Sequence, residues 1–205
     1  MDFTHYTHPI DGRKYVRVSR VLDVLHDEGL AEWREIVGKR EADERVDSAA
    51  DWGREIHEIT RAMDMNQPFT LTDRCMVMAL RYTSWRDDFV TQFLSIEKTY
   101  FSKKHGFACT IDRIALLKHS SFPQIIDLKS GRINKKKFAL QMGAYRTAAE
   151  ENGIRTRDPI ILPLDKNYDQ VEIPLRPITV EDNGERDVFL NLLSVYRYMT
   201  GERWQ

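Results

Sequence analysis

The hydrophobic pattern of this 205-residue chain changes its period near residue 95, and this change limits the folds that are open to it. From residue 19 to residue 64, apolar residues recur every three or four positions, which predicts two or three amphipathic helices, and a further helical stretch is expected over residues 72–93. After that stretch, short runs of β-branched and aromatic residues predict three consecutive antiparallel strands, over residues 96–102, 107–117 and 124–128.

Turn and capping residues complete the predicted order of elements. Asp11-Gly12 favours the tight turn of an opening hairpin over residues 5–18, and Ser19 is expected to cap the first helix. The whole chain is expected to form one α/β domain. The remaining predictions are breaks at Gly29 and Gly38, an Asn134-capped helix over residues 135–151, strands over 159–164 and 170–175, and a final helix from residue 179 to 198.

Composition excludes several classes of protein. Apolar residues make up 41% of the chain and charged residues 31%, which excludes a disordered chain or a coiled-coil rod. Cys75 and Cys109 are too few for a disulfide framework or a four-cysteine zinc or iron–sulfur site, so both are expected in the core. No apolar run approaches the ~20 residues that span a bilayer, and the N-terminus lacks a signal-peptide pattern, so we expect a cytoplasmic protein without membrane contact.

The formal net charge of −1 conceals two segments of opposite charge. Residues 23–64 contain 13 acidic and 6 basic residues, a net charge of −7, whereas residues 98–137 contain 10 basic and 2 acidic residues, a net charge of +8. The two acidic residues of the basic segment are Asp112 and Asp127. Lone carboxylates in a basic stretch need a specific reason, because solubility alone intersperses both signs.

Asp127 and Lys129 belong to the predicted strand Ile125-Ile126-Asp127-Leu128-Lys129. The strand period of two places both on one face, and burying such groups is unfavourable unless they pair or bind a metal. If the preceding strand pairs with this one as a hairpin, Asp112 lies beside Asp127, and adjacent carboxylates favour a divalent cation. The alternative is an Asp127–Lys129 salt bridge with Asp112 capping a turn, which is the commoner meaning of an isolated Asp-x-Lys.

Three further features favour the metal site. Gln141 and Tyr145 are four residues apart, so both project from one face of the helix that follows the strand. His57 lies one turn after Gly53 on an amphipathic helix, where its imidazole could bind a metal. The lysines at 135–137 occupy the first turn of the later helix, where the helix dipole disfavours cations, and this placement favours a polyanionic partner.

Taken in order, these motifs resemble those of the RecB-like branch of the PD-(D/E)xK nuclease superfamily, and in particular small stand-alone exonucleases of phages and mitochondria. The resemblance covers roughly residues 15–150. It implies an α/β fold with a restriction-endonuclease-like core, in which a mixed central sheet is flanked by helices and preceded by an N-terminal helical region. The matching segments are residues 53–57, 106–112, 127–129 and 141–145, together with residues 15–22 and the Trp33 helix in the opening.

The implied nuclease domain comprises residues 1–205. Its parts are a hairpin and helical region (1–94) that carries His57, a catalytic sheet and helix (95–175), and a C-terminal helix (176–205). The sequence has neither a phosphate-binding loop for ATP nor the four cysteines of the iron–sulfur cluster found in some relatives, so neither cofactor is expected.

The resemblance also implies the functional residues. Mg²⁺ or Mn²⁺ would be the cofactor, and a histidine ligand would favour Mn²⁺. Glu97 is a further site residue, although a structural ion pair with Lys98 or Arg113 is its alternative. The metal ligands would be His57, Asp112, Asp127 and the Leu128 carbonyl, the catalytic lysine would be Lys129, and Gln141 and Tyr145 would line the active site. The DNA phosphates would be bound by Arg132, Lys135, Lys136, Lys137, Lys103 and Lys104.

The leading hypothesis is therefore a metal-dependent DNA exonuclease that acts on single-stranded DNA or duplex ends, with a recombination or replication protein as a further partner. An endonuclease or flap nuclease on the same fold is the first alternative, because fold alone does not determine function. A non-catalytic DNA-binding module is the second. RNA is the least favoured alternative as a substrate, although its phosphate chemistry is the same.

Overall fold

The computed structural model describes residues 4–25, 33, 35–131, 133–164 and 174–204. Within these residues seven strands form one sheet, and helices cover both of its faces. The strands are β1 (His5–Thr7), β2 (Lys14–Arg17), β3 (Val90–Ser102), β4 (Phe107–Leu117), β5 (Gln124–Lys129), β6 (Ile160–Pro163) and β7 (Ile178–Thr179). The helices are α1 (Val18–Leu22), α2 (Lys39–Asp64), α3 (Asp73–Phe89), α4 (Lys135–Glu151) and α5 (Glu185–Thr200).

The sheet is organised around β4. β3 pairs antiparallel along one of its edges. Along the other edge, β2 pairs parallel with its first residues and β5 pairs antiparallel with its later ones. β6 continues the sheet parallel to β5, while β1 and β7 extend it through antiparallel pairs with β2 and β6. The expected α/β class and the mixed central sheet flanked by helices are therefore confirmed.

The residues of β5 alternate between two hydrophobic cores. Ile125 packs with residues of α1, α4 and α5 on one face of the sheet, whereas Ile126 and Leu128 pack with residues of α2 and α3 on the other. The strand period of two therefore places Asp127 and Lys129 on the α4 side, opposite Ile126 and Leu128 as predicted.

Several other predictions from the sequence are confirmed. β1 and β2 form the opening hairpin, and β3, β4 and β5 are the three consecutive antiparallel strands. Gly38 is the residue before α2, at a φ of 90° that favours glycine. The Asn134 side chain accepts a hydrogen bond from the Lys137 N–H (3.2 Å) and caps α4. Cys75 and Cys109 are buried free thiols.

Two helix boundaries differ from the prediction. α3 ends at Phe89, four residues before the predicted end, because the chain from Val90 onward pairs with β4 and obtains its hydrogen bonds there. α1 begins at Val18, after an extended Arg17, so the predicted Ser19 cap is wrong.

The C-terminal part of the chain also differs from the prediction. The final helix begins at Glu185, six residues late, because residues 178–179 form β7 and Gly184 has a φ of 103°. Residues 174–175 are not part of a strand, and the rest of the predicted strand over 170–175 lies outside the described residues, as does Gly29. No helix in the described ranges has the length and apolar character needed to cross a membrane.

Candidate functional site

The candidate site lies where β5 separates from β4. The two strands pair antiparallel up to Arg113 opposite Ile126, and Asp112 and Asp127 are the next residues of the two strands beyond this last pair. Asp112 Oδ2 accepts the backbone N–H of Leu128 at 2.7 Å. A side chain of β4 thus makes the next hydrogen bond to β5, which fixes the Asp112 carboxylate beside the neighbouring strand.

Asp127 and Lys129 form a close ion pair on the α4 side of the sheet. The Lys129 ammonium lies 2.7 Å from Asp127 Oδ2 and 4.7 Å from the centre of the Phe138 ring, which is a cation–π contact. The Asp127 side chain is buried, and its Oδ2 atom accepts no hydrogen bond of good geometry despite the nearby ammonium. The alternative Asp127–Lys129 salt bridge is therefore present, but Asp112 binds the adjacent strand instead of capping a turn.

His57, Glu97 and Asp112 form a group that could hold a metal ion. The Nδ1 atom of His57 lies 3.8 Å from Asp112 Oδ2 and 4.0 Å from Glu97 Oε1. The donor atoms of the three residues all lie within 4.8 Å of one another. α2 provides the imidazole, β3 and β4 provide the carboxylates, and each side chain is partly exposed, so an ion could enter from solvent.

Burial sets the electrostatics of the two aspartates. Burial raises the pKa of Asp127 to about 6, the Lys129 charge opposes this rise, and the Asp112 charge adds to it. Burial also raises the pKa of Asp112, against the lowering effect of His57 and Lys129. Two neighbouring carboxylates with raised pKa values repel each other when both are ionised, which is unfavourable in the metal-free protein. A divalent cation bound between them would remove this repulsion.

Glu97 has an unusual backbone and a buried partner. Its φ is 48°, a left-handed conformation that is uncommon for a residue other than glycine and that recurs at functional sites. Arg113 donates from Nη1 to Glu97 Oε1 at 3.2 Å. The alternative ion pair with Arg113 is therefore present, and it holds the carboxylate next to His57, while the role of Glu97 as a site residue stays a prediction.

Gln141 and Tyr145 meet on α4, as their spacing predicts. The Gln141 amide donates to the Tyr145 hydroxyl at 2.6 Å. Burial raises the pKa of Tyr145 well above its usual value, and the Asp127 and Asp112 carboxylates raise it further. Tyr145 therefore lies within electrostatic range of both aspartates and stays protonated at neutral pH. The Leu128 side chain is buried in the core, and its N–H binds Asp112; its carbonyl remains a predicted ligand.

The predicted DNA-binding residues fall into two separate groups. Lys135, Lys136 and Lys137 lie in the first turn of α4, near the site, and Lys137 pairs with Asp23 (3.6 Å). Lys103 and Lys104 lie in the turn between β3 and β4, where the Lys104 N–H binds Glu151 at the other end of α4. The 17 residues of α4 span about 25 Å, so the two groups do not form one surface. Arg132 lies outside the described residues.

Two features of the site were not anticipated from the sequence. Arg113 is wholly buried and pairs with Asp64 at the end of α2, 49 residues earlier in the chain. Arg54 and Arg61 line an open cleft beside His57. Periodicity could have placed the two arginines on the His57 face of α2, but nothing local identifies the partner of a buried arginine.

No protein-family model matches the sequence, and no curated protein matches it.

Proposed function

We propose that the chain is a metal-dependent deoxyribonuclease that hydrolyses phosphodiester bonds, and that it acts as an exonuclease on single-stranded DNA or duplex ends. The observation that carries the proposal is the meeting of carboxylates, an imidazole and an ammonium where β5 leaves β4. Oxygen and nitrogen donors beside a lysine suit a divalent ion and a phosphate anion. The residues are His57, Glu97, Asp112, Asp127 and Lys129.

The donor set fits Mg²⁺ or Mn²⁺. The donor atoms of His57, Glu97 and Asp112 lie within 4.8 Å of one another, and burial raises the pKa of both Asp112 and Asp127, which a divalent cation would reverse. His57, Asp112 and Asp127 would hold the ion, with Glu97 and the Leu128 carbonyl as further ligands. The bound ion would lower the pKa of a coordinated water and polarise the phosphoryl oxygens. The imidazole nitrogen favours Mn²⁺ over Mg²⁺.

Lys129 is the residue proposed to act on the reacting groups. Its ammonium, held between Asp127 and the Phe138 ring, would orient the attacking water or offset the negative charge that develops on the phosphate. Because that charge grows in the transition state, loss of Lys129 should lower kcat more than it raises KM. Tyr145, protonated and held by Gln141, would keep the aspartate side of the site in place.

The finer parts of the proposal depend on the resemblance to RecB-like nucleases. These parts are the restriction-endonuclease-like core, DNA as substrate, and cleavage from an end. The mixed sheet, with its two aspartates on adjacent antiparallel strands and the lysine two residues after the second, supports the first of these parts.

Cleavage assays with linear and circular DNA test the proposal. End-labelled single-stranded and double-stranded DNA and closed circular DNA are incubated with Mg²⁺, Mn²⁺ or EDTA, using the native chain, Asp127→Asn and Lys129→Ala. Lys98→Ala, an exposed lysine on β3, is the matched control. We expect metal-dependent cleavage that spares circles, is lost in the two site variants and persists in the control.

Two other outcomes would change the proposal. Cleavage of closed circles would replace the exonuclease with an endonuclease. DNA that survives in both metals while it binds the protein in a salt-sensitive way would overturn the catalytic proposal in favour of a DNA-binding module.

A further inference from the structure

An open cleft of about 730 Å³ lies beside the candidate metal ligands. α2 contributes Arg54, His57 and Arg61 to its lining, and the sheet side contributes Glu97 and Ser130. Seven residues, or about two helical turns, separate the two arginines, so both lie on the same face of α2 as His57. The cleft thus has one arginine on each side of His57, and the two arginines are about 10 Å apart along the helix.

The ion pairs of α2 distinguish Arg61 from the other arginines of this helix. Arg40 pairs with Glu44, Arg45 with Glu41, and Arg54 with Asp51, all one turn apart. Within the described residues, Arg61 pairs with no carboxylate.

Arg61 has no carboxylate partner among the described residues, although an acidic residue lies close to it. Glu58 lies one turn earlier and also lines the cleft, yet the two side chains form no ion pair. The Arg61 guanidinium donates to the Met65 sulfur at 3.7 Å, which leaves its positive charge unneutralised. A guanidinium without a carboxylate partner retains its full capacity to bind an anion.

We propose that the α2 wall of this cleft is the track for the sugar–phosphate backbone of the substrate strand, with Arg61 as its principal phosphate contact and Arg54 as the second. The inference rests on the proposed function, because it assigns the path by which a strand reaches that site. The two arginines are about 10 Å apart along the helix, so they can contact different phosphates of one strand. Arg61 and Arg54 thus bind phosphates on the two sides of the one at the metal site.

Two carboxylates in this cleft, those of Glu97 and Glu58, oppose the binding of phosphate. They allow a second test, in which removing a negative charge strengthens binding. Glu97 is matched by Arg113 (3.2 Å). Glu58 is exposed and lacks an ion-pair partner among the described residues, so its charge repels a bound phosphate. Removing the Glu58 charge should therefore strengthen binding, whereas removing the Arg61 charge should weaken it.

The test measures binding apart from cleavage. Fluorescein-labelled oligo(dT) 20-mer is titrated in EDTA, from about 50 to 200 mM salt, with the full chain carrying Lys129→Ala as the parent. Arg61→Gln, Arg54→Gln and Glu58→Gln are each added to it. Arg45→Gln, the matched control, removes the same charge from the same helix about 24 Å away from Arg61. Circular dichroism confirms that each variant is folded.

We expect Arg61→Gln to raise Kd about threefold to tenfold and to reduce the slope of log K against log salt by about 0.7, the value for one lost contact to a single strand. Arg54→Gln should act in the same direction but more weakly, because Asp51 already neutralises part of its charge. Glu58→Gln should lower Kd, and Arg45→Gln should leave both Kd and slope unchanged. Arg61→Lys should recover most of the slope.

The experiments can contradict the proposed phosphate track and the proposed nuclease activity separately. If Arg61→Gln and Arg45→Gln give the same Kd and salt slope, the track is wrong even if the native chain cleaves DNA. If the native chain cleaves no DNA but Arg61→Gln shows the expected loss, the track stands and the nuclease proposal fails.

Discussion

Arg113 and Asp64 form an ion pair in which both side chains are wholly buried, with Nε of the arginine 2.6 Å from Oδ2 of the aspartate. The Tyr82 hydroxyl donates to the same oxygen at 2.6 Å. On its other side the guanidinium donates to Glu97. One buried cation therefore connects the end of α2 and the middle of α3 to a carboxylate of the candidate site.

Arg113→Met should destabilise the fold strongly. Removing one partner of a buried ion pair leaves the other uncompensated, which costs about 3–5 kcal/mol. Arg86→Met is the control, because Arg86 approaches the same carboxylate at 3.8 Å but is partly exposed, and its loss should cost about 1 kcal/mol or less. The free energies of unfolding are measured in urea at pH 7. Equal losses in the two variants would contradict the buried-pair argument.

The raised pKa of Asp127 predicts how the stability of the metal-free protein depends on pH. Between the usual pKa of 3.8 and the folded-state pKa of about 6, the folded chain binds more protons than the unfolded chain. This residue therefore makes the free energy of unfolding fall as pH rises through that window. Each pKa unit is worth about 1.4 kcal/mol, so Asp127→Asn should be the more stable protein at pH 7 and no more stable at pH 4.

Urea unfolding in EDTA at several pH values between 4 and 7 checks this prediction. Mn²⁺ should stabilise the native chain more at pH 7 than at pH 5, because protons compete with the metal for the carboxylates. A difference between native and Asp127→Asn that does not vary with pH would contradict the assigned direction of the pKa shift.

Gly143 allows α4 and α5 to pack closely. A methyl group built on it would lie 2.9 Å from the Arg186 backbone nitrogen, and backbone atoms cannot move aside cheaply. At an open helix position, Gly→Ala stabilises a protein by about 1 kcal/mol. At the crowded position of Gly143 the same substitution should instead lower the free energy of unfolding. Urea unfolding of Gly143→Ala tests this, and a stability gain would show that α5 can shift freely.

The core of the candidate site was predictable because it depends on local rules. Strand alternation and a hairpin were enough to place Asp112 beside Asp127, and helical spacing was enough to join Gln141 to Tyr145. The Arg113–Asp64 pair was not predictable, since its partners are 49 residues apart and a buried arginine has no periodic signature. The end of α3 was missed because pairing with β4, a long-range interaction, outweighs the local helical pattern after Phe89.

Lys135 and Lys136 should contribute to DNA binding, whereas Lys103 and Lys104 should not, although the sequence assigned all four to the phosphates. The first pair is exposed at the end of α4 that lies near Lys129. The second pair precedes β4 at its Phe107 end. Asp112 lies five positions further along this extended strand, which is about 17 Å away.

Two double variants separate these roles. Replacing Lys135 and Lys136 with Gln should raise the KM for single-stranded DNA and reduce the salt slope of binding by about 1.4, the value for two contacts. The same change at Lys103 and Lys104 should leave both quantities unaltered, since a phosphate at the metal site is more than a Debye length of about 8 Å away at physiological ionic strength. Equal effects from the two double variants would mean that the strand also crosses the turn between β3 and β4.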